Sequence, residues 1–387
     1  MADEDLAGRR ARLDAEMERC GAWPAASPWL RGAFTALPRD AFAPDRLWRW
    51  DNRAYVPLDR SADPDGWAAE LYSGVYSAAV TQLDGGRPSS SLSAPSVVAD
   101  MLDSLRVEPG HRVWDVGTGQ GWTAALAAWR AGPGLVVTTE VDGYLAESAR
   151  ARLAAAGLDA EVTLGNGTRS GPPGGVPVDR LHATYAVETV PWSWVAAVRP
   201  GGRIVYPWGR LGHVALTVAD DGRSATGWVQ GLAQFMGDRH GPAQPSTGSA
   251  AFAQVRGGTE PETRQALDRD SQLLDDWDLR FALRVAVPDA VVLTARDDDG
   301  LNAWIHDGTR SWATVTARGD GEAPLLLQGG PRRLGDEVVA AWTRWEELGR
   351  PGRYDYGITV TPEEQWAWQG GPGGPRWPIA QAAPAGR

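Results

Sequence analysis

The run Val113-Trp114-Asp115-Val116-Gly117-Thr118-Gly119-Gln120-Gly121-Trp122 constrains this chain more than any other stretch. Short apolar residues lead to an acid, glycines follow at 117, 119 and 121, and an Ala/Leu-rich run continues from Thr123 to Ala131. The pattern predicts a buried strand, a tight turn and a helix N-terminus. Glycines there let the backbone turn sharply and let a ligand lie against bare amides. The expected ligand is small and nucleoside-like.

The spacing departs from the dinucleotide fingerprint G-x-G-x-x-G, which holds a pyrophosphate on the helix and would mark a nicotinamide-dependent oxidoreductase. Here the order is D-x-G-x-G-x-G, with the acid two residues before the first glycine. That arrangement suits a ligand with an amino group, such as S-adenosylmethionine. Leu135-Val136-Val137-Thr138-Thr139 reads as the next strand and ends in Glu140, roughly 20 residues past the turn, where an acid grips ribose hydroxyls.

At 387 residues the chain is longer than one average domain and can bury a sizeable core. No apolar run reaches the roughly 18 residues of a membrane span, and the N-terminus is acidic where a signal peptide is basic. A soluble cytoplasmic protein without a membrane partner is expected. The single cysteine, Cys20, excludes an internal disulfide framework, and the five histidines lack ligand spacing, so no metal is expected. A net charge of -11 without any basic run argues against nucleic acid. Every Lys/Arg position is Arg, which reads chiefly as coding bias, although surfaces rich in Arg and in the 20 Trp also suit peptide recognition.

Residues 1–77 read as a helical, loop-rich extension. From 93 onward, helix and strand alternate: helix 96–105, strand 112–116, helix 123–131, strand 135–140, helix 143–156, strand 160–164, strand 180–184, helix 192–198 and strand 203–206. The expected fold class is therefore α/β, a Rossmann-like parallel sheet covered on both faces. Beyond Gly209, short strands are expected at 213–218, 225–229, 281–287, 291–295 and 354–360, with one helix at 334–348. The chain thus divides into an extension (1–77), an α/β core (78–209), a strand-rich domain (210–369) and a Gly/Pro/Ala-rich flexible tail (370–387).

Four separate stretches resemble the protein-L-isoaspartate (D-aspartate) O-methyltransferase family. Leu37-Pro38-Arg39-Asp40-Ala41-Phe42-Ala43-Pro44 is similar to its V-P-R-x-x-F-x-P segment, and Leu92-Ser93-Ala94-Pro95 to its I-S-A-P substrate loop. Gly165-Asn166-Gly167 resembles its G-D-G, and Arg199-Pro200-Gly201-Gly202-Arg203-Ile204-Val205 its K-P-G-G-R-L-V. The likeness covers about residues 30–209 and implies a class I S-adenosylmethionine-dependent methyltransferase core. Three departures stand out. Ser96 occupies a position usually held by His, Asn166 replaces an acid, and Ser89-Ser90-Ser91 replaces G-Q-T. The chain also continues well past the family's usual end. With the phrases at 183–192 and 354–362, this resembles the branch that tailors ribosomal peptides (lanthipeptides, lasso peptides, graspetides). Members of that branch methylate a precursor aspartate to give succinimide (aspartimide) or isoaspartate.

The resemblance implies a role for each matching position. Asp115 orients the methionine amino group, while Gly117, Thr118, Gly119 and Gly121 form the cradle. Glu140 with Val141 takes the ribose, and Asn166 with Gly167 faces the adenine, where an amide both donates and accepts. A substrate carboxylate falls to Ser91 and Ser93 as catalytic donors, with Ala94, Ser96 and the amides of the following helix N-terminus beside them and Thr184 bordering the methyl. Ser93 has the competing role of helix cap, Ser96 that of an ordinary helix residue, Thr184 that of a β-branched strand residue, and Ser89 and Ser90 that of solvated loop. The partner expected is an Asp-bearing, cyclised ribosomal precursor peptide, whose ring presents one conformer at low ordering cost. The alternatives are an isoaspartate repair enzyme and, in another class, a non-catalytic peptide-binding protein on a relict cofactor fold.

Overall fold

The computed structural model describes residues 2–209, 211–241, 248–319 and 321–380. Two compact units emerge: residues 1–240 with 358–365 and 379–387, and residues 241–357 with 366–378. No helix among the described residues is long and apolar enough to cross a membrane.

The first unit begins with helices α1 (Ala2–Arg19) and α2 (Trp29–Ala36), strands β1 (Arg46–Trp50) and β2 (Tyr55–Asp59), and helix α3 (Pro64–Leu71). A hairpin of β3 (Ala79–Asp84) and β4 (Arg87–Leu92) follows, and the four strands pair in the order β2-β1-β3-β4. This sheet is a correction to the helical extension expected for 1–77. Arg46–Trp50 has no regular polar/apolar alternation, and only Leu47 of this strand is fully buried, the other four side chains being exposed or half-buried. The extension is not a separate body either: Leu6, Met17, Leu30 and Phe42 share one apolar cluster with Leu102, Leu126 and Val205.

After α4 (Pro95–Leu105) comes the doubly wound part: β5 (Val113–Val116), α5 (Trp122–Ala131), β6 (Val136–Glu140), α6 (Gly143–Ala155), β7 (Ala160–Leu164), β8 (Val178–Ala183), α7 (Trp192–Ala197) and β9 (Val198–Trp208). Strands β7, β6, β5, β8 and β9 lie side by side and parallel. Every residue of β5 is buried, as expected of a strand covered on both faces. The pairings Val116↔Thr139 and Val116↔Ala183 bring the carboxyl ends of β5, β6 and β8 level. Strand order reverses at β5, which creates the crevice where doubly wound sheets bind ligands.

Strands β10 (Gly212–Val218) and β11 (Ala225–Gly231) add to β9 as antiparallel neighbours, so they extend this sheet and do not open a second domain at residue 210. The chain returns to the same unit at 358–365, where the Thr226 hydroxyl donates to the Ile358 carbonyl at 3.2 Å.

The second unit holds α8 (Ser249–Arg256), β12 (Thr263–Ala266), α9 (Trp277–Ala286), β13 (Val291–Asp297), β14 (Gly300–His306), β15 (Trp312–Thr316), β16 (Leu325–Gly329) and α10 (Leu334–Glu347). Its sheet is antiparallel, ordered β12-β16-β15-β14-β13. The segment 281–287, expected as a strand, lies largely in α9. The Asp276 carboxylate caps that helix by accepting the Asp278 and Leu279 amides at 2.8 and 3.0 Å, and this start signal overrides the local apolar alternation. Strand β17 (Tyr356–Val360) and the hairpin of β18 (Gln365–Gln369) and β19 (Arg376–Pro378) complete the chain. The tail expected from 370 is thus partly strand, paired through Ala367↔Trp377, and its last seven positions, 381–387, lie outside the described residues.

Candidate active site

The glycine turn runs from β5 into α5, and three of its glycines have positive φ. At Gly117 (φ +91°) a Cβ would meet Thr184 Oγ1 at 2.7 Å and Tyr185 Cδ1 at 2.8 Å, so only glycine fits between the turn and the end of β8. The Thr184 hydroxyl donates to the Gly117 carbonyl. Thr184 therefore fastens β8 to the turn, and its hydrogen is not available to a substrate.

Asp115 corrects an expectation. It lies beneath the turn at 1 % exposure, with one oxygen accepting the Thr138 hydroxyl at 2.7 Å and the other beside His182 Nδ1 at 3.1 Å. Thr118 is drawn into the same network through Thr138 at 2.6 Å. Because Thr138 gives its hydrogen to Asp115, the Thr118 hydroxyl must donate to Thr138. Both residues brace the strand-to-turn joint from inside, with Thr118 at 5 % exposure.

Glu140 stands where expected, at the end of β6. One carboxylate oxygen accepts the Gly119 amide at 2.8 Å; the other accepts the Val141 and Asp142 amides at 2.9 and 3.0 Å. An ionised carboxylate offers about four acceptor sites. Three are taken by these amides, which fix the orientation and leave room for a further donor such as a ribose hydroxyl. Val141 thus meets Glu140 through its backbone.

Asn166 turns its carbonyl oxygen to the Thr168 amide at 2.9 Å and hydroxyl at 2.5 Å. The amide N–H fixes which way the Asn166 group points, so its acceptor is used and its NH2 remains to donate. At Gly167 a Cβ would lie 2.1 Å from Val116 Cγ1, and the Gly167 carbonyl accepts Trp194 Nε1 at 2.7 Å. Gly121 is the N-cap of α5 in left-handed conformation. The glycine cradle, the oriented Glu140 and the free amide of Asn166 suit a nucleoside with an amino-acid side arm, so S-adenosylmethionine fits the residues present.

Strand β4 brings the serines to this crevice. A Cβ at Gly119 would sit 3.6 Å from Ser90 Oγ. Ser90 is buried and receives a hydrogen bond from Thr81 at 3.1 Å, so it is no solvated loop residue. Ser91 and Ser93 make no side-chain hydrogen bond among the described residues. The cap of α4 is Ala94, whose side chain offers no cap, so Ser93 is free of the capping role. Ser96 is different. Its hydroxyl and amide both donate to the Val75 carbonyl, at 2.8 and 3.0 Å, at 8 % exposure. With its hydrogen spent, Ser96 has none to offer a substrate carboxylate, a correction to its expected role. Since Pro95 has no N–H, that helix start also keeps fewer amides for an anion than expected.

Sequence reasoning missed several residues here. Arg39 is buried and donates to the Leu92 carbonyl at 2.7 Å, immediately before Ser93, while its Nε and Nη1 have no partner among the described residues. Burial pushes its guanidinium down to about 10, still cationic at neutral pH. Tyr185, beside Gly117, is pushed up by burial and by the Asp238 and Glu140 charges. Gln120, in the turn, has a buried side-chain oxygen without a partner among the described residues. Only Arg39 carried a signal, since it lies in a quoted motif.

Residues 60–229 match the family model described as protein-L-isoaspartate(D-aspartate) O-methyltransferase. The protein-L-isoaspartate O-methyltransferase of Methylorubrum extorquens (strain PA1) is 35% identical over 187 residues, 48% of this chain and 68% of that protein. The one from Methanopyrus kandleri is 34% identical over 214 residues, 54% of this chain and 81% of that protein. A solved protein-L-isoaspartate O-methyltransferase structure is similar in fold, with TM-score 0.50 at 18% identity, covering 92% of this chain and 97% of that one.

Proposed function

Because this chain belongs to the protein-L-isoaspartate O-methyltransferase family, and so is an S-adenosylmethionine-dependent protein carboxyl O-methyltransferase of class I fold, we propose that its substrate is the free carboxylate of an isoaspartyl residue in a polypeptide, methylated in the cytoplasm. The observation that carries this reading is the serine strand lying against the glycine turn, with Ser90 Oγ 3.6 Å from the position a Gly119 Cβ would take. That proximity supports a reading in which the donor and acceptor halves of a methyl transfer share one crevice.

When bound, S-adenosylmethionine supplies a methyl on a sulfonium sulfur, and its transfer to a carboxylate oxygen leaves a neutral thioether. A carboxylate is already ionised at neutral pH, so the protein needs no strong base. Its residues have three tasks. Glu140 and the glycine turn fix the donor side. The hydroxyls of Ser91 and Ser93 hold the carboxylate on the other side, and bringing reacting atoms to about 3–3.5 Å removes much of the entropy cost of encounter. The third task is electrostatic. Arg39, a buried cation without a carboxylate partner among the described residues and bonded to the end of β4, offsets the repulsion that a chain of net charge -11 exerts on an anionic substrate. Opposite charges are neutralised as the methyl moves, which a site shielded from water favours.

A second reading keeps the reaction and changes the substrate to an aspartate in a cyclised ribosomal precursor peptide, giving succinimide or, after hydrolysis, isoaspartate. It is favoured by Ser96 in place of the family's His; the second unit does not discriminate, since the solved protein-L-isoaspartate O-methyltransferase that is similar in fold covers 92% of this chain. One assay separates the two: a linear peptide carrying isoaspartate, its aspartate isomer, and the aspartate peptide cyclised around that residue, each incubated with S-adenosylmethionine and followed by mass spectrometry. A gain of one methyl only on the isoaspartyl peptide supports the first reading. A gain on the cyclic aspartyl peptide, followed by loss of methanol, supports the second. Methylation of none refutes both.

A further inference from the structure

After β11 the chain does not leave the crevice at once. Residues 236–239 run along the end of β8: the Ala186 amide donates to the Met236 carbonyl at 2.8 Å, and the Asp238 amide to the Ala186 carbonyl at 2.9 Å. The next side chain, Arg239, reaches both lips of the crevice. On the cofactor lip its Nη1 lies 3.2 Å from an Asp142 carboxylate oxygen. On the other lip its Nη2 donates to the Ser89 carbonyl at 2.6 Å and to Gln82 Oε1 at 3.2 Å.

The ring of contacts is closed. Gln82 Nε2 donates to the same Asp142 oxygen at 3.0 Å, and the Ser89 hydroxyl donates to Gln82 Oε1 at 3.0 Å. Asp142 is itself fixed. Its other oxygen caps α6 by accepting the Tyr144 and Leu145 amides, and its own amide donates to Glu140. Burial pushes the Asp142 carboxyl up, but the Leu145 amide, Gln82 and Arg239 outweigh this and hold it below the usual carboxylate range, so it stays anionic. The ring thus joins the residue that orients Glu140 to the hairpin that carries Ser91 and leads into Ser93.

We infer that Arg239 is a positioning residue that sets the distance between the substrate hairpin β3–β4 and the cofactor lip at Asp142. This rests on the methyl-transfer reading above. A guanidinium suits the task because its planar fork directs several N–H groups at fixed angles, whereas an ammonium is a single point of charge. A misplacement of about 1 Å between reacting groups can cost on the order of a hundredfold in rate. The contribution of Arg239 is therefore to catalysis through other residues, and it touches no reacting atom.

The test uses the full chain with Arg239→Ala, Arg239→Gln and Arg239→Lys. Three quantities are measured: S-adenosylmethionine affinity by calorimetry, KM and kcat on whichever peptide the wild type methylates, and amide hydrogen exchange over residues 79–92, with the melting temperature as a check on folding. Expected for Arg239→Ala is a rise in peptide KM or fall in kcat of about tenfold or more, a cofactor affinity within about twofold, and faster exchange confined to 79–92 and the start of α6. Arg239→Lys engages one lip only and recovers little. Should Arg239→Ala fail to fold, Arg239→Gln carries the same expectations. Unchanged kinetics with unchanged exchange in the hairpin overturns the inference, as does a uniform loss of protection across the unit. If the wild type methylates no peptide, the functional reading falls, and the hairpin exchange alone decides whether Arg239 positions it.

Discussion

Glu140 and Gly119 are joined directly: a carboxylate oxygen at the end of β6 accepts the backbone amide of the glycine turn at 2.8 Å. The acid expected to take ribose hydroxyls also holds the turn that faces the same ligand, so donor affinity and turn geometry are linked through one side chain. Glu140→Gln keeps the size but replaces one acceptor by NH2. Hydrogen bonds to a charged group contribute about 1.5–3 kcal/mol, so S-adenosylmethionine affinity is expected to fall by about tenfold or more in calorimetry. Unaltered affinity would show that Glu140 serves the turn alone.

Two serines three residues apart are expected to separate cleanly. Ser93→Ala should lower kcat/KM by on the order of tenfold, the size of one lost hydrogen bond to a charged group, and leave the urea midpoint unchanged, since the hydroxyl supports nothing in the fold. Ser96→Ala removes a bond to Val75 and should cost about 1 kcal/mol of stability with kcat nearly intact. Reversed effects would return Ser96 to the substrate site and Ser93 to the scaffold.

Gly167→Ala places a methyl 2.1 Å from Val116 Cγ1. Overpacking of this kind costs about 1–3 kcal/mol, and the shift it forces lies at the end of β5, so cofactor affinity should fall as well. Gly171→Ala is the control, because nothing lies within 4 Å of its added carbon. Chemical denaturation and calorimetry of both variants test the contrast.

In the second unit the Asp307 carboxylate accepts the amides of Thr309, Arg310 and Ser311 and the Thr309 hydroxyl, at 2.8 to 3.0 Å. Burial pushes its carboxyl up, but these donors outweigh it and hold it at about 2. A depressed carboxyl stabilises fully above its unfolded value, near 3.8, and loses that contribution as pH falls toward 2. Asp307→Ala is expected to destabilise this unit by about 2 kcal/mol at pH 7, with the gap to wild type closing toward pH 2. A constant gap across that range in denaturation monitored at several pH values would refute the assignment.

What the sequence made legible was local. The glycine turn, Glu140 and Asn166–Gly167 follow from spacing within one βαβ unit, where residue type and register decide the geometry. Ser93 was open between cap and substrate donor because both roles suit a serine before Pro95, and only the position of Ala94 at the cap separates them. The fate of Ser96 depended on Val75, and that of Asp115 on His182, partners that no pattern around either residue reveals. Strands β1 and β2 were hidden by charged and aromatic residues on an exposed face and by Pro57 inside β2. Arg239 lay beyond the expected domain edge, because β10 and β11 were assigned to a second domain when they in fact extend the first sheet.

The shared core of the first unit has a consequence for how the chain is made. The Trp122 indole donates to the Leu37 carbonyl across 85 residues, and Arg39 waits for Leu92. At a synthesis rate of about 5–20 residues per second, Leu37 is made roughly 4–17 seconds before its partner exists. Helices α1 and α2 therefore emerge from the ribosome with apolar faces that nothing yet covers. Biogenesis of this protein should depend on holding the nascent segment in solution until the central strands arrive, and any shortened version that omits those helices would leave the catalytic sheet with the same unmet surface.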